Sequence, residues 1–329
     1  MVTQRPTVLV FATGGTIGMH ETDGGLAPDP DFPEVLEGMV DGICGPLGIE
    51  ARINHLLPAI DSANADSETA PRIARAISAR VRTHRPRGVV ILHGTDTLAY
   101  TAARLAFELA GIGSPVVVTG SQLAHGAPGS DAADNLSLAI RASVKAAPGA
   151  PVSIAFGGAI LPAVRATKHD TVSLAAFRAE RRLAPGPGGV PAPPVAQDSP
   201  AAPARVLSFR LTPAVTAEDL RAAVGGRPDG LVLECYGSGN APMARPGMLG
   251  TLRELCAALP VVAITQCATG GVDLARYAVG RELAAAGVID GSDLTAEAAI
   301  AKLGFLLDRG HRGEDLRTAM ERNLVGERT

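Results

Sequence analysis

The chain has 329 residues, 46% of them hydrophobic and only 3% aromatic, and its formal net charge is −3. This near-neutral charge gives no electrostatic footprint for nucleic acid, and no stretch reaches the about 18 apolar residues of a membrane span. The N-terminal apolar run is short and broken by glycine, which argues against a signal peptide. Four cysteines without a C-x-x-C pair indicate free thiols in a reducing compartment, so we expect a cytoplasmic protein.

Strand and helix patterns alternate through the first half of the chain. Continuous apolar runs predict buried strands at 6–12, 88–94, 114–121 and 151–158. Helical patterns predict helices at 67–84, 95–111 and 131–147. In the first of these helices Ile73, Ile77 and Val81 recur every four residues, and the second is expected to end at Gly111. This order predicts a parallel sheet with right-handed crossovers.

A stretch rich in Pro, Gly and Ala interrupts the pattern at 184–204, and we interpret it as a linker. Beyond it, strands are predicted at 204–211, 230–237 and 260–267, with helices at 247–259 and 296–309. The fold class is therefore α/β with two domains. A large N-terminal domain, 1–183, carries a parallel-type sheet flanked by helices, and a smaller α/β domain follows at 205–329.

Several binding motifs are absent. The loop "TGGTIG" lacks both the P-loop pattern and the G-x-G-x-x-G dinucleotide pattern, and no G-x-S-x-G elbow or His/Cys metal spacing occurs. The basic run at 79–88 ends a predicted helix, where cations suit the helix dipole, so we interpret it as a solvated face rather than a phosphate patch. No metal or organic cofactor is expected.

Ligands of open parallel sheets bind beyond the carboxyl ends of the strands. The loops in those positions carry Thr16, Thr95, Asp96 and Lys168. A threonine hydroxyl is a poor nucleophile until a base takes its proton, and a neutral lysine oriented by a carboxylate is a suitable base. Each residue also has a simpler interpretation: a turn or helix cap for the threonines, a first-turn acid for Asp96 and a surface lysine for Lys168. Their combination favours a Thr-Lys-Asp catalytic set.

The motifs that contain these residues resemble those of a known family. "FATGGTIGM" and "VVILHGTDTLAYTAA" resemble the two signatures of bacterial-type L-asparaginases, and the resemblance continues through "VVVTGSQ", "SDAADNL", "ATKHD", "YGSGNAP" and "TQCATGG". It covers essentially the whole chain, through "EAAIAKL" to "NLVGE", and is nearest to the cytoplasmic (type I) branch. The resemblance implies the asparaginase/glutaminase fold and conversion of L-asparagine to L-aspartate and ammonia.

The resemblance also implies catalytic roles. Thr16 would be the nucleophile that attacks the side-chain amide carbon. Lys168 would be the general base, and Thr95 would pass protons or activate water while its backbone N–H helps to hold the oxyanion. Asp96 would support this cluster and bind the α-ammonium group of the substrate.

Substrate binding and assembly are implied in the same way. Asp61 and Ser62 match the family pair that holds the α-amino and α-carboxylate groups. Asn240 matches an asparagine that reaches the site of a neighbouring subunit. The family forms a tetramer of two tight dimers, so we expect a homo-oligomer, with small-molecule substrate and neither nucleic acid nor membrane as partners.

The first departure from the family concerns the loop after Thr16. The family carries a tyrosine there, whereas this chain has Leu26, and its first tyrosine is Tyr100. Activation of Thr16 then falls to Lys168 with Thr95, to water, or to His20 on the same loop.

The second departure is Glu234, which stands where allosterically regulated members carry arginine. An acid there repels the carboxylate of an effector, so we expect weak or absent cooperativity toward asparagine, although Thr167 and Cys267 match other positions of that site.

Two other functions stay open at this point. One is a glutaminase-asparaginase or another amidase on the same scaffold, such as a transfer-RNA amidotransferase subunit. The other is a catalytically weak amino-acid-binding homologue, which the replacement of the loop tyrosine by Leu26 favours.

Overall fold

The computed structural model describes residues 5–182 and 202–329. The chain divides into two compact units, Met1–Ala179 and Glu180–Thr329. The linker predicted at 184–204 lies almost entirely outside the described residues, as does the N-terminal tetrapeptide. No helix in the described ranges is long and apolar enough to cross a membrane.

The N-terminal unit is built on a six-stranded sheet. Its strands are β1 (Thr7–Ala12), β4 (Glu50–His55), β5 (Gly88–Leu92), β6 (Val116–Thr119), β7 (Ser153–Phe156) and β8 (Ala159–Pro162). They lie in the order β4-β1-β5-β6-β7-β8; the first five are parallel, and β8 is antiparallel to β7. Two small hairpins accompany the sheet: β2 (Met19–Thr22) with β3 (Gly25–Pro28), and β9 (Thr167–Lys168) with β10 (Phe177–Arg178).

Four helices connect these strands: α1 (Phe32–Leu47), α2 (Thr69–His84), α3 (Leu98–Glu108) and α4 (Ala132–Lys145). The predicted parallel sheet is confirmed by the parallel pairing of its first five strands, and β1, β5 and β6 are buried as continuous apolar runs. Val8 and Val10 of β1 pack in one cluster with Leu36 of α1 and with Leu136 and Ile140 of α4.

The helix predicted at 67–84 is confirmed with small changes of boundary. Ile73, Ile77 and Val81 are all buried on α2, as their spacing predicts. The helix predicted to end at Gly111 instead ends at Glu108, and Gly111 occupies the turn beyond it with a φ of 77°.

The segment from 19 to 55 contains elements that the sequence patterns did not predict. Helix α1 is rich in glycine and contains Pro46, so its propensity is weak, and packing of Phe32, Leu36 and Val40 stabilises it instead. Strand β4 is an edge strand of alternating burial, which lacks the continuous apolar run of its neighbours.

The C-terminal unit contains a second parallel sheet. Its strands, in spatial order, are β11 (Val206–Arg210), β12 (Gly230–Cys235), β13 (Val261–Thr265) and β14 (Ile289–Asp290). The helices are α5 (Ala217–Ala223), α6 (Met248–Ala258), α7 (Ala278–Ala285), α8 (Ala296–Asp308) and α9 (Gly313–Glu321). The three predicted strands and two predicted helices of this half are present; α5, α7, β14 and α9 were not predicted.

The last residues of the chain are fixed to α8 by a buried ion pair. Lys302 Nζ lies 2.6 Å from Glu327 Oε1, and neither side chain is exposed. The Glu327 carboxylate also accepts hydrogen bonds from the backbone N–H groups of Leu324 and Val325. Burial lowers the pKa of Lys302 to about 8, although Glu327 opposes this shift.

Candidate active site

The loops that follow β1, β4 and β5 meet at the carboxyl edge of the N-terminal sheet. These three strands are neighbours in the order β4-β1-β5, so their loops emerge side by side. Thr13 begins the first loop and donates from Oγ1 to the carbonyl of Leu92, 2.7 Å away at the end of β5. Its own carbonyl accepts from the N–H of Ile60, at 2.6 Å, in the loop after β4.

Glycines allow these loops to touch backbone to backbone. A Cβ on Gly14 would lie 2.4 Å from the carbonyl oxygen of Ile60, and one on Gly15 would lie 2.5 Å from Gly94 Cα. A Cβ on Gly94 would lie 2.4 Å from Ser62 Oγ. Gly14 and Gly15 also have φ values of 119° and 100°, which disfavour any other residue. The glycines therefore serve close loop packing, and this packing brings together the segments of Thr16, Ser62 and Thr95.

Thr16 is the first residue of a 3-10 turn, Thr16–Gly18, and it is half-buried. Gly15 is the N-cap of this turn, so Thr16 lies in a turn, as one of its simpler interpretations predicts, and is not a helix cap. Within the part of the chain that the structure describes, its hydroxyl makes no side-chain hydrogen bond. That leaves Thr16 Oγ1 available to a ligand.

Lys168 joins two of the predicted catalytic residues. Its Nζ donates to Thr95 Oγ1 at 2.9 Å and to Asp96 Oδ1 at 2.8 Å. Thr95 is buried, whereas the Asp96 side chain is 62% exposed and that of Lys168 is 21% exposed. Helix α3 begins only at Leu98, so Asp96 precedes its first turn and pairs with Lys168 instead. With only 21% of its side chain exposed and two site residues in contact, Lys168 is not simply a surface lysine.

The position of Lys168 differs from the prediction. It was expected in a long loop beyond the strand at 151–158, but β8 and a 3-10 turn, Ala163–Arg165, intervene. Lys168 ends the short strand β9 and is paired in register with Phe177 of β10. The β9–β10 pairing therefore fixes the lysine backbone.

Asp61 and Ser62 lie in the loop after β4. The exposed Asp61 caps the 3-10 turn Ser62–Asn64, because its carboxylate accepts from Ala63 N and Asn64 Nδ2, each at 3.1 Å. Ser62 is buried, and its carbonyl accepts from Thr97 Oγ1 at 2.8 Å. The pair is thus tied to the loop that carries Thr95.

Sequence reasoning missed two side chains that hold the loop after β6. The buried Asp131 accepts from the N–H groups of Gln122 and Leu123, at 3.0 and 3.1 Å, and Asn135 Nδ2 donates to the Gly120 carbonyl at 3.0 Å. The sequence signal was their spacing of four residues at a helix start, within the motif "SDAADNL".

His93 lies directly before Gly94 and is buried. Its Nδ1 lies 2.8 Å from the Gly94 carbonyl oxygen, and burial lowers the pKa of His93. The lowered pKa keeps this buried ring uncharged at pH 7.

The hairpin after Thr16 places Leu26 opposite Glu21, with 52% of Leu26 exposed. Leu26 has no hydrogen-bonding group to offer Thr16. His20 lies on the facing strand, and its Nδ1 is 3.9 Å from Asp29 Oδ1 rather than in contact with Thr16.

Three predicted positions, Glu234, Asn240 and Cys267, belong to the C-terminal unit. The Glu234 carboxylate accepts hydrogen bonds from Ser208 Oγ at 2.8 Å and from Arg210 Nη1 at 3.2 Å. Both donors lie on β11, the strand next to β12 in the same sheet. Asn240 closes a tight turn, since its N–H donates to the Tyr236 carbonyl at 2.8 Å. Cys267 is exposed after β13, and in the N-terminal unit Thr167 is exposed beside Lys168.

Among the described residues, no group of three or more His, Cys, Asp or Glu side chains is placed to hold a metal ion. These loops bring together hydroxyl groups, one lysine and the carboxylates of Asp61 and Asp96 at the end of a parallel sheet. This arrangement can transfer protons and perform nucleophilic attack.

Comparison with known proteins gives matches over nearly the whole chain. The family model described as "Asparaginase, N-terminal" matches residues 7–186, and "Glutaminase/Asparaginase C-terminal domain" matches residues 205–320. The L-asparaginase of Thermococcus kodakarensis is 36% identical, over 98% of this chain and 99% of that protein. L-asparaginase 1 of Escherichia coli K12 is 34% identical, over 99% of each.

The solved structures agree with the sequence matches. The crystal structure of L-asparaginase I from Vibrio cholerae superposes with a TM-score of 0.85 at 29% identity, covering 99% of this chain and 100% of that one. Family models match both halves of the chain, and relatives above 30% identity extend over its full length. The chain therefore belongs to the asparaginase family.

Proposed function

We propose that this protein hydrolyses the side-chain amide of L-asparagine to give L-aspartate and ammonia. The observation that carries the proposal is the position of Lys168 Nζ, 2.9 Å from Thr95 Oγ1 and 2.8 Å from Asp96 Oδ1. Full-length relatives named L-asparaginase, at 34% and 36% identity, support this choice of substrate.

In the proposed mechanism the Thr16 hydroxyl attacks the amide carbon. A C–O bond forms, the C–N bond breaks, and the hydroxyl proton ends on the departing ammonia. Water then hydrolyses the acyl-threonine ester, which releases aspartate and restores Thr16. Contact between Gly15 and Gly94 supports this assignment, because it holds the Thr16 turn against the Thr95 loop.

Thr95 and Lys168 act in proton transfer. Thr95 Oγ1 lies 2.9 Å from Lys168 Nζ, so Thr95 can give its hydroxyl proton to the lysine, the general base, as it accepts a proton from the attacking group. Asp96 orients the lysine, and the backbone N–H of Thr95 stabilises the oxyanion. The acceptor of the Thr16 proton is this pair, water or His20, since Leu26 cannot take that role.

Asp61 and Ser62 bind the α-amino and α-carboxylate groups, together with Asp96. Asn240 reaches the site of a neighbouring subunit in a homo-oligomer, a dimer or a dimer of dimers. The four cysteines are all free, which supports residence in the reducing cytoplasm. No nucleic acid, membrane or cofactor takes part.

A broader amidase activity is the second candidate. The C-terminal family model names glutaminase together with asparaginase, and a glutamyl-tRNA(Gln) amidotransferase component from Methanopyrus kandleri is 30% identical over 98% of this chain. Asparagine and glutamine differ by one methylene. A pocket distinguishes two such substrates by only about 1–3 kcal/mol of binding free energy in the transition state. Leu26 favours a third candidate, a catalytically weak amino-acid-binding protein.

One assay separates these candidates. The protein is incubated with asparagine, with glutamine and with buffer alone, and ammonia is measured over time. Release from asparagine well above that from glutamine supports the proposal, and equal release supports the broader amidase. Release from neither amide, with binding of asparagine in calorimetry, overturns the proposal in favour of the binding protein.

A further inference from the structure

His125 connects the turn that begins at Thr16 with the base of the β2–β3 hairpin. Its Nδ1 lies 3.2 Å from the carbonyl oxygen of Ile17, the residue after Thr16. Its Nε2 lies 3.3 Å from Oδ2 of Asp29, the residue after β3. The side chains of His125 and Asp29 are only 14% and 15% exposed, so water competes little for either contact.

The chemistry of the two contacts is complementary. A carbonyl and a carboxylate both accept hydrogen bonds, and each of these acceptors faces one ring nitrogen of His125. The ring of Phe32 lies 5.5 Å from the His125 ring, which limits the rotation of the imidazole. His20 is the other titratable group that faces Asp29.

The loop that carries His125 is itself held in place. Asp131 accepts from the backbone of Gln122 and Leu123 just before it, and Ala127 N donates to the Ala124 carbonyl at 3.0 Å. His125 therefore extends from a fixed loop toward the two segments that it contacts.

The two contacted segments also bind each other. Asp29 N donates to the Gly18 carbonyl at 2.9 Å, and the Phe32 ring packs so closely on Gly18 that a Cβ there would lie 2.9 Å from it. The Thr16 turn and the hairpin base thus form one packed group, and His125 joins that group to the loop after β6.

We propose that His125 is a positioning residue for the reaction at Thr16. Its contact with Ile17 fixes the Thr16 turn for attack, and its contact with Asp29 fixes the hairpin beside it. Leu26 at the hairpin offers Thr16 no hydrogen bond, so the orientation of this turn depends on contacts outside the hairpin strands. This inference rests on the proposed asparagine hydrolysis.

Three substitutions separate the two contacts. His125→Asn places an N–H donor near the Nδ1 position, His125→Gln places one near the Nε2 position, and His125→Phe keeps a ring but removes both ring nitrogens. We expect His125→Phe to lower kcat/KM for asparagine about tenfold or more, the equivalent of one net hydrogen bond. His125→Asn should recover most of kcat but keep a raised KM. His125→Gln should recover most of the original KM but keep a lowered kcat.

The matched control is another histidine–carboxylate pair. His311 and Asp315 lie 2.5 Å apart in the C-terminal unit, and His311→Phe removes that pair while leaving every residue of the N-terminal unit unchanged. This variant should keep the kcat and KM of the unaltered protein.

A second readout does not depend on activity. Amide hydrogen exchange at Gly18 and Asp29, which donate to Gly15 and Gly18, should accelerate in His125→Phe and not in His311→Phe. Unchanged exchange, or accelerated exchange with kcat and KM both unaltered, overturns the positioning role. If the unaltered protein releases no ammonia, the proposed function fails, while the exchange comparison still decides whether His125 holds the two segments.

Discussion

Lys168 donates a hydrogen bond of 2.9 Å to Thr95, a residue 73 positions earlier in the chain. The same nitrogen lies 2.8 Å from Asp96, so one amine bridges a buried hydroxyl and an exposed carboxylate. Such a bridge needs both the β9–β10 hairpin and the end of β5 to be in place. The relationship therefore forms only in the folded N-terminal unit.

Replacement of Lys168 by methionine tests this relationship. Methionine has similar length but no proton to exchange, so we expect kcat to fall by about 10²- to 10⁴-fold with the fold retained. Lys145→Met is the matched control, because Lys145 is exposed at the end of α4 and should tolerate the change. Ammonia release and circular dichroism provide the two measurements. A Lys168→Met variant with more than half the original kcat contradicts the assignment.

The two threonines form a second test. Thr16→Ala and Thr95→Ala should each lose most ammonia release while melting temperatures stay close to that of the unaltered protein. The reason is that each change removes a reactive hydroxyl and little packing volume. Thr83→Ala, on the exposed side of α2, should remain fully active. Full activity in either site variant is incompatible with the two-threonine mechanism.

The close contact at Gly15 gives a third prediction. Gly15→Ala places a Cβ 2.5 Å from Gly94 Cα at a φ of 100°, so both a clash and backbone strain oppose it. Gly113→Ala is the control, since Gly113 has a φ of 87° but open space around it. Gly15 also has a ψ of 174°, a conformation essentially restricted to glycine, for which strain alone costs about 1–3 kcal/mol. Urea unfolding should show a larger loss for Gly15→Ala, together with loss of activity; equal losses would argue against loop packing.

Glu234 leads to a kinetic prediction. Its carboxylate is held by Ser208 and Arg210, and a negative charge at this position repels the carboxylate of an amino-acid effector. Initial rates against asparagine concentration should therefore follow a hyperbola. A sigmoidal curve in the unaltered protein would refute the expectation, whatever the turnover number.

The buried Lys302–Glu327 pair gives a prediction for stability. Loss of one partner leaves the other charge buried, so Lys302→Met should lower the free energy of unfolding by about 3–5 kcal/mol. Exposed Lys145→Met should change it by less than about 0.5 kcal/mol. Urea denaturation at pH 7 measures both, and equal stability of the two variants would contradict the prediction.

The same pair predicts a pH dependence. The pKa of Lys302 is lowered from 10.5 to about 8, so between these values the unfolded chain binds more protons than the folded one. The contribution of Lys302 to the free energy of unfolding therefore increases as the pH rises from about 8 to 10. This contribution is lost as the pH falls through 8. The difference in unfolding free energy between the unaltered protein and Lys302→Met, measured at several pH values, should rise in that window.

The sequence allowed much of the sheet and part of the site to be predicted. The apolar runs of β1, β5 and β6 predict buried strands, and the spacing of Ile73 and Ile77 predicts the buried face of α2. The grouping of Thr95, Asp96 and Lys168 followed from their placement around strand ends, and all three lie within hydrogen-bond reach.

Other features depend on contacts that local patterns do not encode. Helix α1 contains several glycines and is stabilised by burial of residues such as Leu36, so its propensity gave no signal. The contact of His125 with Ile17 joins residues 108 positions apart, and no local sequence pattern near either residue predicts it. Glycine-mediated packing of Gly15 on Gly94 likewise requires both strands to be placed first.

The attachment of the chain end to α8 has a consequence for the lifetime of the protein. Thr329 is hydrogen-bonded to Asp293, and Glu327 is buried two positions earlier. Local detachment of residues 324–329 would therefore expose the core carboxylate of Glu327 and leave the Lys302 ammonium buried without its partner. The proteolytic lifetime therefore depends on how rarely this segment detaches, and amide hydrogen exchange at Leu324 and Val325, which donate to Glu327, reports that opening.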